Sequence, residues 1–185
     1  KLARQLCPEA IVIRGNSGTY TKKSDEVTEI IRESVPLYEK TSIDEFYIDL
    51  SGMDRYFSSL QLASEVRARI IKDTGLPISF GMSENKTVSK VATGEAKPNN
   101  QIQVAYGNEK EFLAPLSVKK IPMVGDKTYQ TLLHLGVKTI ATIQQMDWRL
   151  LEKVLGKNGI IVWRKANGID DSPVIAYSER KSIST

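Results

Sequence analysis

One cysteine, one histidine and two tryptophans in 185 residues remove several kinds of chemistry from consideration. A lone thiol, Cys7, forms no internal disulfide, and a cysteine-rich metal site is excluded. Cys7 is expected to be a small buried apolar residue in a reducing, cytoplasmic setting. His134 has no companion at metal-ligand spacing and reads as a helix-surface or core residue. No run is long and apolar enough to cross a membrane, no secretory-signal pattern is visible, and low-complexity tracts are absent. Gly15-Asn-Ser-Gly18 lacks the Lys-Ser/Thr ending of a phosphate loop.

What is present is ordinary in amount and informative in arrangement. The hydrophobic fraction is 41% and the charged fraction 26%, as in globular domains. The length suits one or two domains with a real core. A net charge of +4 and a pI near 9.1 give a mild bias towards polyanions. The chain starts at Lys1 within what reads as the tail of a helix. It stops in the basic segment Arg180–Thr185. Both features lead us to expect an internal piece of a longer protein.

Hydrophobic periodicity divides the chain. Ala10–Ile13 is a short buried-strand candidate, Gly15–Gly18 a loop, and Thr21 to about Leu37 a helix with Val27, Ile30 and Ile31 on one face. Ser42–Leu50 reads as an acidic strand. Leu60–Lys72 is an amphipathic helix, with Leu62, Val66 and Ile70 inward and Arg67, Arg69 and Lys72 outward. Pro77–Met82 is a strand, Ser83 an N-cap, and Glu84–Ala96 a helix. A turn at Pro98–Asn100 leads to a strand at Gln101–Val104. Beyond Pro115 no convincing strand occurs, and short helices alternate with glycines. The expected fold is α+β: a mixed sheet with packed helices over 1–114, then a small all-α unit over 115–176.

Three groups carry chemistry. Asp44 and Glu45 interrupt an apolar, β-prone run. Desolvating two neighbouring carboxylates is costly, so a cation is the natural compensation, and a hard divalent ion such as Mg²⁺ prefers carboxylate oxygens. Side chains i and i+1 of a strand point to opposite faces, so both acids meet one ion only at a strand end or bulge. Taken alone, an Asp-Glu pair is more often a turn cap beside a solvated glutamate. Asp49 reads as a partner for an arginine or a backbone amide. Lys86, Lys90 and Lys97 lie on or beside one helix, and Lys97 leads into a proline turn, where a lysine can serve as a point charge for phosphate. Val118–Gly136 has helix–hairpin–helix character: Pro122 and Gly125 make a tight turn, and the next helix starts with free amides that suit a phosphate. Trp148, Ile160, Ile161 and Trp163 read as core.

Ser42-Ile-Asp-Glu-Phe-Tyr-Ile-Asp49 resembles the second acidic motif of the Y-family, or translesion, DNA polymerases. Phe80 to Asn99, ending Ala-Lys-Pro-Asn, resembles their strand–helix element, and Val118–Asp170 resembles their thumb. The elements occur in the family's order and spacing, and the flavour is closest to the bacterial polymerase IV type. The resemblance implies that 1–114 is a partial palm, 115–176 a thumb, and 177–185 the start of a tether to a little-finger domain outside this chain. It implies that Asp44 and Glu45 are catalytic metal ligands for two Mg²⁺ ions, completed by an Asp outside this chain. It implies that Lys97 meets the triphosphate, and that Lys90, Val124, Gly125, Lys127 and Thr128 serve DNA. Met123, where the family's hairpin usually has glycine, and Asp126 depart from the pattern.

The resemblance further implies lesion-bypass DNA synthesis, with dNTP transferred to a primer 3′-hydroxyl. Primer–template DNA and dNTP are the expected partners. A sliding clamp would bind through regions outside this chain, and a monomer is expected. The 185 residues alone are expected not to polymerise. The competing reading is a non-catalytic DNA-binding scaffold derived from the polymerase fold; retention of both acids weighs against it.

Overall fold

The computed structural model describes residues 2–55 and 58–176. A short helix, α1 (Leu2–Leu6), is followed by an extended segment and by α2 (Ser17–Ser34). Asn16 caps α2 by accepting from the Thr19 amide, so Ser17 and Gly18 form its first turn rather than a loop. Val27, Ile30 and Ile31 recur at helical spacing and are buried. The helix gives way at Val35, before Pro36, and β1 (Leu37–Lys40) begins. β1 pairs antiparallel with β2 (Phe46–Asp49), setting Leu37 opposite Asp49 and Lys40 opposite Phe46. A single 3-10 turn (Met53–Arg55) precedes α3 (Ser59–Thr74). Gly75 ends α3 at φ +73°, a conformation that costs glycine little.

A β–α–β unit comes next. β3 (Phe80–Met82) and β4 (Gln101–Gln103) run parallel, joined by α4 (Lys86–Ala96). Gly81 is required where α4 crosses β3, because a Cβ there would strike the Ser89 carbonyl. Arg67, expected to face outward, lies across this unit. Its guanidinium donates to the carbonyls of Ile78 (2.8 Å) and Asn99 (2.7 Å).

The remainder is helical: α5 (Glu109–Leu113), a 3-10 turn (Val118–Lys120), α6 (Asp126–His134), α7 (Ile140–Gln145), α8 (Trp148–Leu155) and α9 (Lys157–Ala166). An isolated bridge between Ser117 and Thr139 is its sole β pairing among the described residues. α8 and α9 meet closely because Gly159 has no Cβ to strike the Leu151 carbonyl.

Two hydrophobic clusters hold the chain. One gathers Val27, Ile30, Ile31, Val35, Val66 and Ile70, with Phe46 and Ile48 against it. The other runs from Val88 and Ala92 of α4 to Leu132, Ile143, Leu151 and Val162 of the later helices.

Several expectations need correction. Ala10–Ile13 forms no strand, and Ile11, Val12 and Ile13 are exposed. β-propensity acts through pairing and packing, and no described strand lies alongside. Cys7 is exposed, following a helix that buries nothing. The acidic strand starts at Phe46, not Ser42, because Ser42–Asp44 bend. Asn85, not Ser83, caps α4; its side chain accepts from Val88 N. Ile161 is exposed on α9, while Trp163 is half-buried and donates its indole N–H to Met146 O (2.9 Å). Residues 177–185, read as the start of a tether, lie outside the described residues.

Candidate functional site

The β1–β2 turn presents the acids. Its ladder ends at Lys40 and Phe46, and the Thr41 amide closes the loop onto Glu45 O (3.0 Å). The chain then bends, and the strand's alternation no longer applies at Asp44 and Glu45. The Ser42 hydroxyl donates to Asp44 Oδ1 (2.7 Å) and accepts from the Asp44 amide (3.4 Å), a local turn bond of the kind short polar side chains make. Both acids are exposed, whereas the sequence placed them in an apolar run. Desolvation therefore does not demand a cation here. The site is instead an accessible pair of carboxylates on a hydrogen-bonded turn.

Asp49 faces a different task. It accepts from the Ser51 amide (2.8 Å), and hydrogen bonds from the Ser51 hydroxyl and amide hold its carboxyl below the usual range. The donors fit a hard cation in type, since Asp44 and Glu45 offer oxygen ligands. They supply only part of a coordination shell: among the described residues no group of three acids, histidines or cysteines converges.

α4 brings the lysines. Its buried face, Val88, Val91, Ala92 and Ala96, fixes the helix, and Lys86 and Lys90 stand one turn apart on the other side. Lys90 Nζ meets both oxygens of Glu45, each at 2.8 Å. Lys86 pairs with Glu39 and lies 5.1 Å from the Tyr47 ring centroid. Lys97 is the exposed residue that ends α4, with no hydrogen bond or ion pair to the acids. The structure thus pairs Glu45 with Lys90, while among the described residues the side chains of Asp44 and Lys97 make no hydrogen bond or ion pair with either.

The hairpin residues form a separate group. Met123 adopts φ +80°, the left-handed region that favours glycine. Val124 is buried and anchors the turn, and its amide donates to Ile121 O (3.0 Å). Gly125 is the N-cap of α6 and offers no side chain to its first amides; Tyr129 N is bonded to Gly125 O (2.9 Å). Lys127 is exposed and Thr128 half-buried. Asp126, the acid that departs from the pattern, pairs with Lys119 at 3.0 Å, so its charge is compensated within the hairpin.

Sequence reasoning missed a joint between the two halves. Asp170 accepts from the Thr87 amide (3.1 Å) and hydroxyl (2.6 Å), and Lys165 donates to the same hydroxyl (2.6 Å). Burial pushes Asp170 up, but hydrogen bonds from Ser172 and Thr87 and the charge of Lys165 outweigh it and hold the carboxyl at about 2. Glu39 accepts from Lys86 and from the Ile175 amide (2.8 Å). Burial raises its pKa, yet the Lys86 and Ile175 contacts leave it below the ordinary value. Burial and the charges of Glu45, Asp170 and Glu39 push the Tyr47 phenol up to about 12. The one local signal was Asp170 two residues before Ser172, an Asx-turn spacing; the partners across the fold left no local trace.

Known proteins resemble this chain in sequence and fold. The family described as impB/mucB/samB matches residues 1–94. DNA polymerase IV of Dehalococcoides mccartyi is 38% identical over 183 residues, 98% of this chain and 47% of that protein. The crystal structure of DinB from Sulfolobus solfataricus superposes with a TM-score of 0.81 at 24% identity, covering 94% of this chain and 52% of that one. An insertion ternary complex of Dbh DNA polymerase gives 0.80 at 24% identity, over 94% and 51%. At that identity the likeness concerns the fold. The chain spans about half the length of the curated relatives it matches. With the family match covering half its length and the acidic turn at its centre, the chain belongs to the impB/mucB/samB family.

Proposed function

We propose that this chain is the palm remainder (1–114) and thumb (115–176) of a lesion-bypass DNA polymerase, acting on primer–template DNA and dNTP. The observation that carries the reading is the pair of exposed acids, Asp44 and Glu45, held on the β1–β2 turn beside the lysine-bearing face of α4. Asp44 and Glu45 would hold Mg²⁺. When bound, two such ions neutralise the charge that develops on a transferring phosphoryl group and activate the attacking hydroxyl. The chain's own residues orient the reactants. The Ser42 hydroxyl fixes the Asp44 carboxylate. Lys97, exposed at the end of α4, offers a point charge to the triphosphate. The first amides of α6, with Gly125, Lys127 and Thr128 around them and Val124 as anchor, grip a backbone phosphate without reading a base. In Dbh DNA polymerase an insertion ternary complex forms on the same fold, which supports this reading. A monomer suffices for these roles.

The test is single-nucleotide incorporation on a primer–template with Mg²⁺, using the longer polypeptide that carries this chain and its Asp44→Ala variant. Incorporation by the parent and its loss in the variant are expected. DNA affinity in both should fall steeply with salt and vary little with sequence. A parent that binds DNA in this way and never incorporates would be a scaffold instead.

A further inference from the structure

We propose that Lys90 is a resident counter-ion for Glu45, occupying the oxygens that a divalent cation would use and yielding them when the cation binds. This rests on the metal reading of the acidic turn and adds to it a residue that sets when the site opens. One ammonium meets both carboxylate oxygens at 2.8 Å, so Glu45 has no oxygen free of it. An ammonium and a divalent cation on the same two oxygens repel each other, so each weakens the other's hold and the two compete.

The pair is built for exchange. Lys90 and Glu45 keep 42% and 49% of their side-chain surface exposed, and ion pairs in that setting are weak. Lys90 makes no other hydrogen bond or ion pair among the described residues. Its helix is immobilised by Val88, Val91 and Ala92, so the base of the side chain is fixed while its tip is free to swing. Lys86, one turn earlier, shows the contrast. Its pair with Glu39 is 14% and 22% exposed and shares the Tyr47 ring, which marks it as permanent. While Lys90 sits on Glu45, it also relieves the repulsion between the adjacent Asp44 and Glu45 charges. Once released, it stays on the same helix face, available to an anion arriving with the cation.

The experiment is Mn²⁺ binding to the longer polypeptide that carries this chain, read from the electron-spin resonance of free Mn²⁺, with no turnover involved. Lys90→Met should tighten binding by about twofold to fivefold, the span expected when one exposed ion-pair competitor is removed. Lys90→Arg should restore the weaker binding, because it returns the cation. Lys86→Met, which removes an equal charge from the same helix, should change affinity less than Lys90→Met. Unchanged or weaker binding in Lys90→Met overturns the exchange, as does an equal gain in Lys86→Met, which would show a general field effect. Asp44→Asn separates the two levels. If it leaves Mn²⁺ binding intact, the metal reading of the turn fails; if it weakens binding while Lys90→Met gives no gain, only the exchange fails.

Discussion

The cluster beside the acidic hairpin and the cluster of the later helices differ in how fully they exclude water. Val27, Ile30, Ile31, Val35, Val66 and Ile70 retain 3–8% of their surface. Leu132, Ile140, Ile143 and Leu151 retain none, within a larger group that reaches back to Val88 and Ala92 of α4. The strand that follows the acidic turn therefore rests on the smaller, leakier cluster, and the helix bearing the lysines is rooted in the larger, drier one. Contacts such as Lys90–Glu45 and Lys86–Glu39 cross from one to the other. A site assembled across such a seam keeps its cations on a firm base and its carboxylates on a yielding one. Backbone adjustment on binding is then expected at the acidic turn, while the lysines move only at their tips.

The largest effect should come from testing that contrast directly. Ile143→Ala should cost about 4–5 kcal/mol, and Ile30→Ala about 2–3 kcal/mol, the two ends of the range for such truncations. Ile143 has no exposed surface to lessen the cavity, whereas Ile30 lies near solvent. Urea unfolding of both variants measures the difference, and equal costs would abolish the distinction between the clusters.

Next is the joint at Asp170. Its carboxyl titrates at about 2 in the folded chain, below the ordinary 3.8, so its stabilisation is full above about pH 4 and is lost as the pH falls through about 2. The shift corresponds to about 2 kcal/mol. Asp170→Asn should remove that much at pH 7 and flatten the acid limb of a stability–pH curve between about 4 and 2.

A smaller gain is expected in the hairpin. Met123→Gly relieves a left-handed residue and loosens the unfolded chain, with a net stabilisation of at most about 1 kcal/mol by thermal unfolding. Smallest of all, Lys90→Met should change folding stability by under about 1 kcal/mol, and added salt should erase the difference.

Much of the framework was legible because helices announce themselves. Leu62, Val66 and Ile70 gave α3, and the glycine-punctuated stretch after Pro115 gave a helical half. β1 was hidden, since Leu-Tyr-Glu-Lys has no β-branched residue and is only four residues long, although Pro36 just before it marks the helix end. The exposure of Ile11, Val12 and Ile13 was unreadable, because apolar character states what a segment prefers and not whether a neighbour is there. At the site, the acids could be named from local sequence. The Glu45–Lys90 contact spans 45 positions and the Asp170–Thr87 contact spans 83, and pairings at that separation are written in the fold alone.

Glu39 has a mechanical consequence. By accepting from both Lys86 and the Ile175 amide, it ties the chain leaving the last helix to the hairpin strand that carries the turn. The helical half is thus fastened at its exit as well as at its entrance from β4. Between these ends the shared core with α4 and the Asp170–Thr87 contact hold it as well. A pull on the α6 end of the molecule would therefore be carried through that core and, by way of Glu39, into the strand whose end presents Asp44 and Glu45.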